Sequence, residues 1–197
     1  LDKKYHKIFF SGIAFNSSLV KKDYIFFAIK GNKFDGNRYI HDAIKKGAKI
    51  VISEKKKNFY NEDIIYLNVK NSRKLLAELS FGLIKSNIKK LVAVTGTNGK
   101  SSVADFYYQI LELSKKKVAS IGTIGVKSQN KKKEIKNTTL NPIELSKIIN
   151  ELSLKKINHI ILEASSHGLK QNRLDGLLFD IGIFTNLSHD HLDYHNT

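Results

Sequence analysis

The sequence predicts an α/β protein in two parts: a small N-terminal α/β unit, then a parallel-sheet domain of the mononucleotide-binding kind. Three observations carry this expectation. Short apolar runs rich in β-branched residues alternate with stretches of helical periodicity, the pattern of strands joined by helices in a parallel sheet. One run, Leu91 to Val94, leads directly into Thr95-Gly-Thr-Asn-Gly-Lys-Ser-Ser102, a glycine turn that opens a helix. A polar stretch, Ser86 to Lys90, separates the two parts, so the first is read as residues 1–88 and the second as 89–197.

In the first part, Tyr24 to Ile29, Ala48 to Ile52 and Ile64 to Val69 are apolar runs of strand length. Tyr39 to Lys46 fits a short helix closed by Gly47. Gly31, Asp35, Gly36 and Asn37 form a turn-rich loop. Asn71 can cap a helix with Leu75, Leu76, Leu79 and Leu83 on one side. In the second part, Leu91 to Val94 is a buried strand. Val103, Phe106, Tyr107, Ile110 and Leu111 then follow the i, i+3, i+4 spacing of one helix face. Val118 to Val126 reads as a strand broken by Gly122 and Gly125, and Lys127 to Lys136 as a charged loop or hairpin. Asn141 and Pro142 open a helix whose buried side includes Ile143, Ile149 and Leu152. Ile160 to Leu162 and Phe179 to Thr185 are the last strands. Ligands of such sheets gather at the carboxyl ends of strands. That directs attention to the loops after Val94, Gly125, Leu162 and Phe184.

The loop Gly96, Thr97, Asn98, Gly99, Lys100, Ser101, Ser102 has the parts of a phosphate site. Glycines let backbone N–H groups approach phosphate oxygens, the helix N-terminus adds positive potential, and lysine adds a full charge. The Ser101 hydroxyl can hold Mg²⁺. The usual nucleotide loop has a further glycine where Val94 stands, so a plain glycine turn before a helix is the alternative. Glu163 ends a strand near this loop. A carboxylate there suits Mg²⁺, which takes a few hard oxygens and keeps several waters; pairing with a surface Lys is the alternative. His167, on the same loop, could be a base, a metal ligand or a partner of local backbone. Thr185-Asn-Leu-Ser-His-Asp-His-Leu-Asp-Tyr-His195 gathers three His and two Asp, which suggests metal or phosphate chemistry, or a solvated turn. Zinc is possible by count, but the nucleotide loop favours Mg²⁺ with one His.

Composition narrows the classes. With 41% apolar residues over 197 positions, the chain can bury a core, and no cysteine is present for a disulfide or thiolate site. No apolar run approaches a membrane span, and no signal core follows the N-terminus, so a cytoplasmic protein without membrane attachment is expected. The absence of an initiator Met suggests a trimmed start. A formal charge of +16 invites a nucleic-acid reading. It is set aside because only Arg38, Arg73 and Arg173 are arginines, and the lysines lie in scattered clusters such as Lys55 to Lys57 and Lys131 to Lys133.

Val94-Thr-Gly-Thr-Asn-Gly-Lys-Ser101 resembles the ATP loop of the Mur ligase family. Asn137-Thr-Thr139, Glu163-Ala-Ser-Ser-His-Gly-Leu-Lys-Gln-Asn-Arg173 and Phe184-Thr-Asn-Leu-Ser-His-Asp-His-Leu-Asp-Tyr-His195 resemble the MurE-type branch, as does Phe26-Phe-Ala-Ile-Lys-Gly31. The resemblance implies an ATP-dependent amide ligase of peptidoglycan precursor synthesis. Such an enzyme adds a diamino acid, meso-diaminopimelate or L-Lys, to UDP-MurNAc-L-Ala-D-Glu through an acyl phosphate. It implies that Gly96 to Ser102 hold ATP phosphates with Lys100 on the transferring group, and that Asn186 lies near the nucleotide. Ser101 and Glu163 would bind Mg²⁺, and His191 would bind a second one. Asn137, Thr138, Thr139, Ser165, Gln171 and Arg173 would hold the precursor, with Phe15, Ser17, Asn32, Lys33 and Phe34 at its UDP end. A monomer is expected. The sequence departs from the family where Asn16-Ser-Ser18 replaces Asp-Ser-Arg, where Ser101 replaces Thr, and where Leu140 and Asn141 precede Pro142. The family's carbamylated lysine and amino-acid-binding domain are expected beyond Thr197, which makes the P-loop domain of this chain a truncated one. Another Mur ligase, such as a D-Ala-D-Ala-adding enzyme, a folylpolyglutamate synthase and a Lys-rich RNA-binding module are the alternatives.

Overall fold

A computed structural model describes residues 9–31, 34–56, 61–84, 86–129, 131–190 and 194. The chain divides into two compact units, Leu1–Leu76 and Ala77–Thr197.

The first unit is a parallel sheet of β1 (Gly12–Ala14), β2 (Tyr24–Ala28), β3 (Ala48–Ser53) and β4 (Ile65–Asn68), in that order. The helix α1 (Ile40–Lys45) links β2 to β3 and buries Ile40 and Ala43. Phe26, Ala28, Val51, Ala14 and Val20 complete this core. Gly47 closes α1 with φ +102°, and the Lys22 backbone lies where a side chain would start. The loop after β2 becomes a short 3₁₀ turn, Gly36–Tyr39, capped by the Asp35 carboxylate. Lys55 and Asn37 bond that carboxylate and hold its pKa far below the usual value.

The helix α2 (Ser72–Gly82) starts with two acceptors at its first turn. Asn71 Oδ1 takes the Lys74 N–H at 2.9 Å, and Glu54 Oε1 takes the N–H and hydroxyl of Ser72 at 2.9 and 2.8 Å. The sequence reading placed the domain border after residue 88, but the units divide inside α2. The reason is burial: Ala77 and Phe81 belong to the core of the second unit. Leu83, expected on the buried side, is 53% exposed.

The second unit is a six-stranded sheet in the order β10-β5-β9-β6-β7-β8. Its members are β5 (Lys90–Thr95), β6 (Val118–Gly122), β7 (Gly125–Ser128), β8 (Lys131–Lys133), β9 (His159–Glu163) and β10 (Ile181–Phe184). β10, β5, β9 and β6 run parallel, while β6-β7-β8 is an antiparallel meander. Alternate residues feed two cores. Leu91, Ile160 and Leu162 pack with α4 (Pro142–Leu154) and the end of α2; Val92, Val94 and Ile161 pack with α3 (Lys100–Leu113). A sheet covered on both faces explains why these strands read as unbroken apolar runs. α4 starts as its sequence predicts, with Asn141 Oδ1 accepting the Glu144 N–H at 3.0 Å and Pro142 in the first turn.

Two expectations need correction. α3 begins at Lys100; of its expected face, Val103 and Tyr107 pack against the core beside the buried Ala104 and Tyr108, but Phe106 and Ile110 are 61% and 62% exposed. The small Ala104 lets the helix approach Val92, Val94 and Ile161, and that contact turns Phe106 and Ile110 outward. The loop expected after Gly125 lies instead after Gly122, because Gly125 belongs to the return strand of a tight hairpin in which Gly122 pairs with Gly125. Among the described residues, no helix is long and apolar enough to cross a membrane.

Asp105 of α3 takes a hydrogen bond from Lys127 of β7, and this lowers its pKa below the ordinary 3.8, with Gln109 assisting against a smaller cost of burial. A carboxylate with a depressed folded pKa contributes stability above its unfolded value and loses it as pH falls through the folded one. The urea midpoint of the wild type should therefore exceed that of Asp105→Asn by a constant amount near neutrality, and the gap should close as pH falls below 3.8. A gap unchanged at low pH would show that the ion pair contributes nothing.

Candidate functional site

The four parallel strands of the second unit bring the ends of β5, β6, β9 and β10 to one edge of the sheet. Register fixes the alignment: Phe184 pairs with Thr95, Val94 with Glu163, and Ile121 with Leu162. The loops beginning at Gly96, Thr123, Ala164 and Thr185 therefore leave the sheet side by side.

The glycine loop takes its shape from the loop after β10. Gly96 has φ +133°, and a Cβ there would lie 2.1 Å from Thr185 Oγ1, so only glycine allows this approach. Thr97 N–H donates to the Asn186 carbonyl at 2.9 Å. The Asn186 side chain spans the Asn98 peptide, accepting its N–H at 3.0 Å and donating to its carbonyl at 3.2 Å. Thr185 Oγ1 donates to the same carbonyl at 2.7 Å. Gly99, with φ +83°, precedes α3 and brings no side-chain acceptor to its first turn. The N-terminus of a fourteen-residue helix thus opens behind the loop with its dipole uncompensated by a capping side chain. Lys100 folds back, with Nζ donating to the carbonyls of Gly96 at 2.6 Å and Thr97 at 2.8 Å. Ser102 is exposed on the first turn.

Glu163 stands at the end of β9 with only 2% of its surface exposed. A buried carboxylate needs donors, and this one has three. Thr123 N–H donates to Oε1 at 2.9 Å, while the hydroxyls of Ser101 and Thr123 donate to Oε2 at 3.0 Å each. The side chain lies across Gly122, where a Cβ would come 2.1 Å from Oε1. Ser101 and Glu163, paired in the sequence reading, are thus in direct contact.

The segment 137–139 and the loop after β9 are joined through Thr139, which is buried. Its hydroxyl donates to the Glu163 carbonyl at 2.8 Å, lies 3.0 Å from Ser165 Oγ, and accepts the Ser165 N–H at 2.9 Å. Ser165 Oγ also accepts the Gly168 N–H at 3.1 Å, starting the short helix α5 (Ser166–Lys170). Arg173 donates to the Thr139 carbonyl and, from Nε and Nη2, to Gln171 Oε1 at 3.1 and 2.8 Å. Gln171 reaches the Tyr194 hydroxyl at 3.0 Å, and the His167 and Tyr194 rings stack 4.0 Å apart. Thr138 meets Thr123, and Asn137 is exposed.

In the first unit, Phe15 is partly exposed and Phe34 is 70% exposed. Ser17 is buried, and its hydrogen bond is the largest influence lowering the Asp42 pKa. None of these three lines a cleft of about 380 Å³ in this unit, which is formed by Asp35, Asn37, Arg38, Ile40, Lys55, Lys56 and Tyr66. Asn32, Lys33 and His191 lie outside the described residues.

Sequence reasoning missed Thr123 and Gly122 as parts of the site. The signal available was a Gly-Thr pair closing an apolar strand, but its meaning depends on β6 and β9 being neighbours. For a divalent cation, Ser101 and Glu163 supply one hydroxyl and one carboxylate oxygen, a donor set that suits Mg²⁺. Among the described residues, no group of three or more His, Cys, Asp or Glu is placed to hold a metal, and His191, Asp193 and His195 lie outside them.

The Gly122 contact makes a direct prediction. Gly122→Ala should force Glu163 from its three donors and destabilise the protein by about 1–3 kcal/mol, the usual cost of overpacking. Urea unfolding measures this; an unchanged midpoint would show that the carboxylate has room elsewhere.

Comparison with known proteins gives the same picture in both units. The pattern of the Mur ligase middle domain matches residues 94–197, and that of the Mur ligase family catalytic domain matches residues 10–82. The UDP-N-acetylmuramoyl-L-alanyl-D-glutamate--2,6-diaminopimelate ligase of Rickettsia montanensis is 44% identical over 196 residues, covering 98% of this chain and 40% of its own length. The ligase of the same name from Buchnera aphidicola subsp. Schizaphis graminum is 41% identical over 195 residues, covering 94% of this chain and 39% of its own. A solved structure of a ligase of that name superposes with a TM-score of 0.79 at 29% identity, over 95% of this chain and 38% of that one. The chain therefore spans about 40% of the length of the curated relatives it matches.

Proposed function

From the premise that this chain belongs to the Mur ligase family, we propose that it carries the nucleotide and precursor sites of an ATP-dependent amide ligase. The ligase adds a diamino acid to UDP-MurNAc-L-Ala-D-Glu in the cytoplasm. 2,6-Diaminopimelate is the favoured diamino acid, because the name of the Rickettsia relative specifies it. The observation that carries the reading is the contact of Ser101 with Glu163, at the helix end that follows the glycine loop. A hydroxyl and a carboxylate at that point are what an Mg²⁺-bound nucleotide needs from a protein.

The roles follow from chemistry. Backbone N–H groups of Gly96 to Ser102 and the N-terminus of α3 bind the ATP phosphates. Lys100 leaves the Gly96 and Thr97 carbonyls and neutralises the transferring phosphoryl group, with Asn186 holding the loop. Ser101 and Glu163 would hold one Mg²⁺ and His191 a second, and bound metal would supply charge neutralisation at the phosphates. Asn137, Thr138, Thr139, Ser165, Gln171 and Arg173 orient the precursor so that its free D-Glu carboxylate meets the phosphoryl group. Phe15, Ser17, Asn32, Lys33 and Phe34 receive the UDP end. Phosphoryl transfer needs little covalent help from protein, so positioning and charge stabilisation suffice as the roles of these side chains.

Two substitutions test the reading. Lys100→Ala should weaken Mg·ATP binding by about tenfold to a hundredfold, the equivalent of one charged hydrogen bond worth roughly 1.5–3 kcal/mol. Arg173→Ala should weaken binding of the UDP-muramoyl dipeptide by a similar factor and leave Mg·ATP binding as it was. Titration calorimetry of both ligands against each variant decides the matter. Unchanged Mg·ATP affinity in the first would remove the phosphate-loop assignment, and equal losses for both ligands in the second would assign Arg173 to the loop's architecture.

A further inference from the structure

We propose that Thr123 is a positioning residue for the metal-binding carboxylate: its hydroxyl fixes the orientation of Glu163 in which Oε2 faces Ser101. The inference rests on the reading of Ser101 and Glu163 as Mg²⁺ ligands. Thr123 is the first of the two residues that turn β6 into β7, between Gly122 and Gly125, which pair with each other. From that turn it holds both carboxylate oxygens, Oε1 through its N–H at 2.9 Å and Oε2 through its hydroxyl at 3.0 Å. A two-point grip of this kind fixes rotation about the last side-chain bond, which a single donor cannot do.

The direction of the protons follows from counting. An ionised carboxylate only accepts, so the single Thr123 hydroxyl proton is committed to Oε2. Thr123 Oγ1 also lies 2.9 Å from Thr138 Oγ1, and with its own proton used it must accept from Thr138 there. The order is Thr138 to Thr123 to Glu163. The Thr138 hydroxyl thereby keeps the Thr123 rotamer pointed at the carboxylate.

Ser101 is the other hydroxyl donor to Oε2. When Ser101 presents its oxygen to a cation, its proton turns away from Glu163. Thr123 is then the remaining hydroxyl, among the described residues, that holds Oε2. Its contribution is therefore largest in the state that binds metal. Partners that orient a metal ligand are commonly worth 10–100-fold in metal affinity when removed.

The test follows a fluorescent ADP analogue binding to the chain as Mg²⁺ is raised. Wild type, Thr123→Val and Thr123→Ser are compared, and a thermal melt is run on each. Valine keeps the shape and the N–H grip but removes the hydroxyl; serine restores it. Thr123 lies on an exposed turn, so neither change disturbs the core. The expected result is that Thr123→Val needs about tenfold more Mg²⁺, or beyond, for half-saturation, while Thr123→Ser stays near wild type. A merely structural role would lower the melting temperature without moving the Mg²⁺ midpoint. Coincident Mg²⁺ curves for wild type and Thr123→Val, or a serine variant as impaired as valine, overturn the inference and leave the metal reading standing. Nucleotide binding that is absent from the wild type, or indifferent to Mg²⁺, overturns both.

Discussion

A carboxylate sealed from water at the end of a strand is the constraint on which this site depends. Glu163, with 2% of its surface exposed, must find donors inside the protein, because an unpaired buried charge costs far more than a strand can supply. The donors come from two separate segments, the start of α3 and the β6–β7 turn. Satisfying one group thus fixes three elements together: α3 through Ser101, the hairpin through Thr123, and β9 through its own backbone. The same demand accounts for Gly122, since any larger residue would occupy the space of the carboxylate. The Glu163 carbonyl then receives Thr139, which extends the arrangement to the segment carrying Asn137 and Thr138.

The sequence showed those parts of the fold that depend on neighbours along the chain. The glycine loop before α3, the Asn141 cap with Pro142 behind it, and the alternation of apolar runs with helices are all local signals. The association of Ser101 with Glu163 was also legible, because residue type and strand-end position suggest a shared metal. Thr123 was not. Its part is set by the register of β6 against β9, forty residues away, and by a hairpin that the two glycines suggested only as a break. Helix faces were legible only in part. The expected stripe of α3 is split: Val103 and Tyr107 pack against the core with Ala104, whereas Phe106 and Ile110 are exposed. In α2, Ala77 and Phe81 won over Leu83 because the helix passes from one unit into the next and its last turns must satisfy the second core.

The two halves of the site differ in what supports them. The carboxylate half is built on β9 and β6, interior strands with neighbours on each side. The phosphate half takes its shape from Thr185 and Asn186, which follow β10, and β10 stands at the end of the strand order with β5 as its one partner among the described residues. Ile181 and Phe184 of that strand are 48% and 64% exposed, while Ile183 packs beside Val92 and Val94. The bonds that reach Thr97 and Asn98 from Thr185, Asn186 and Ser188 all come from the segment after β10. The phosphate loop therefore takes its outer shape through the segment that follows β10 and its inner anchor through Ser101 on Glu163. Glu163 and its donors draw instead on the start of α3, the β6–β7 turn and β9, so Ser101 is the residue in which the two halves meet.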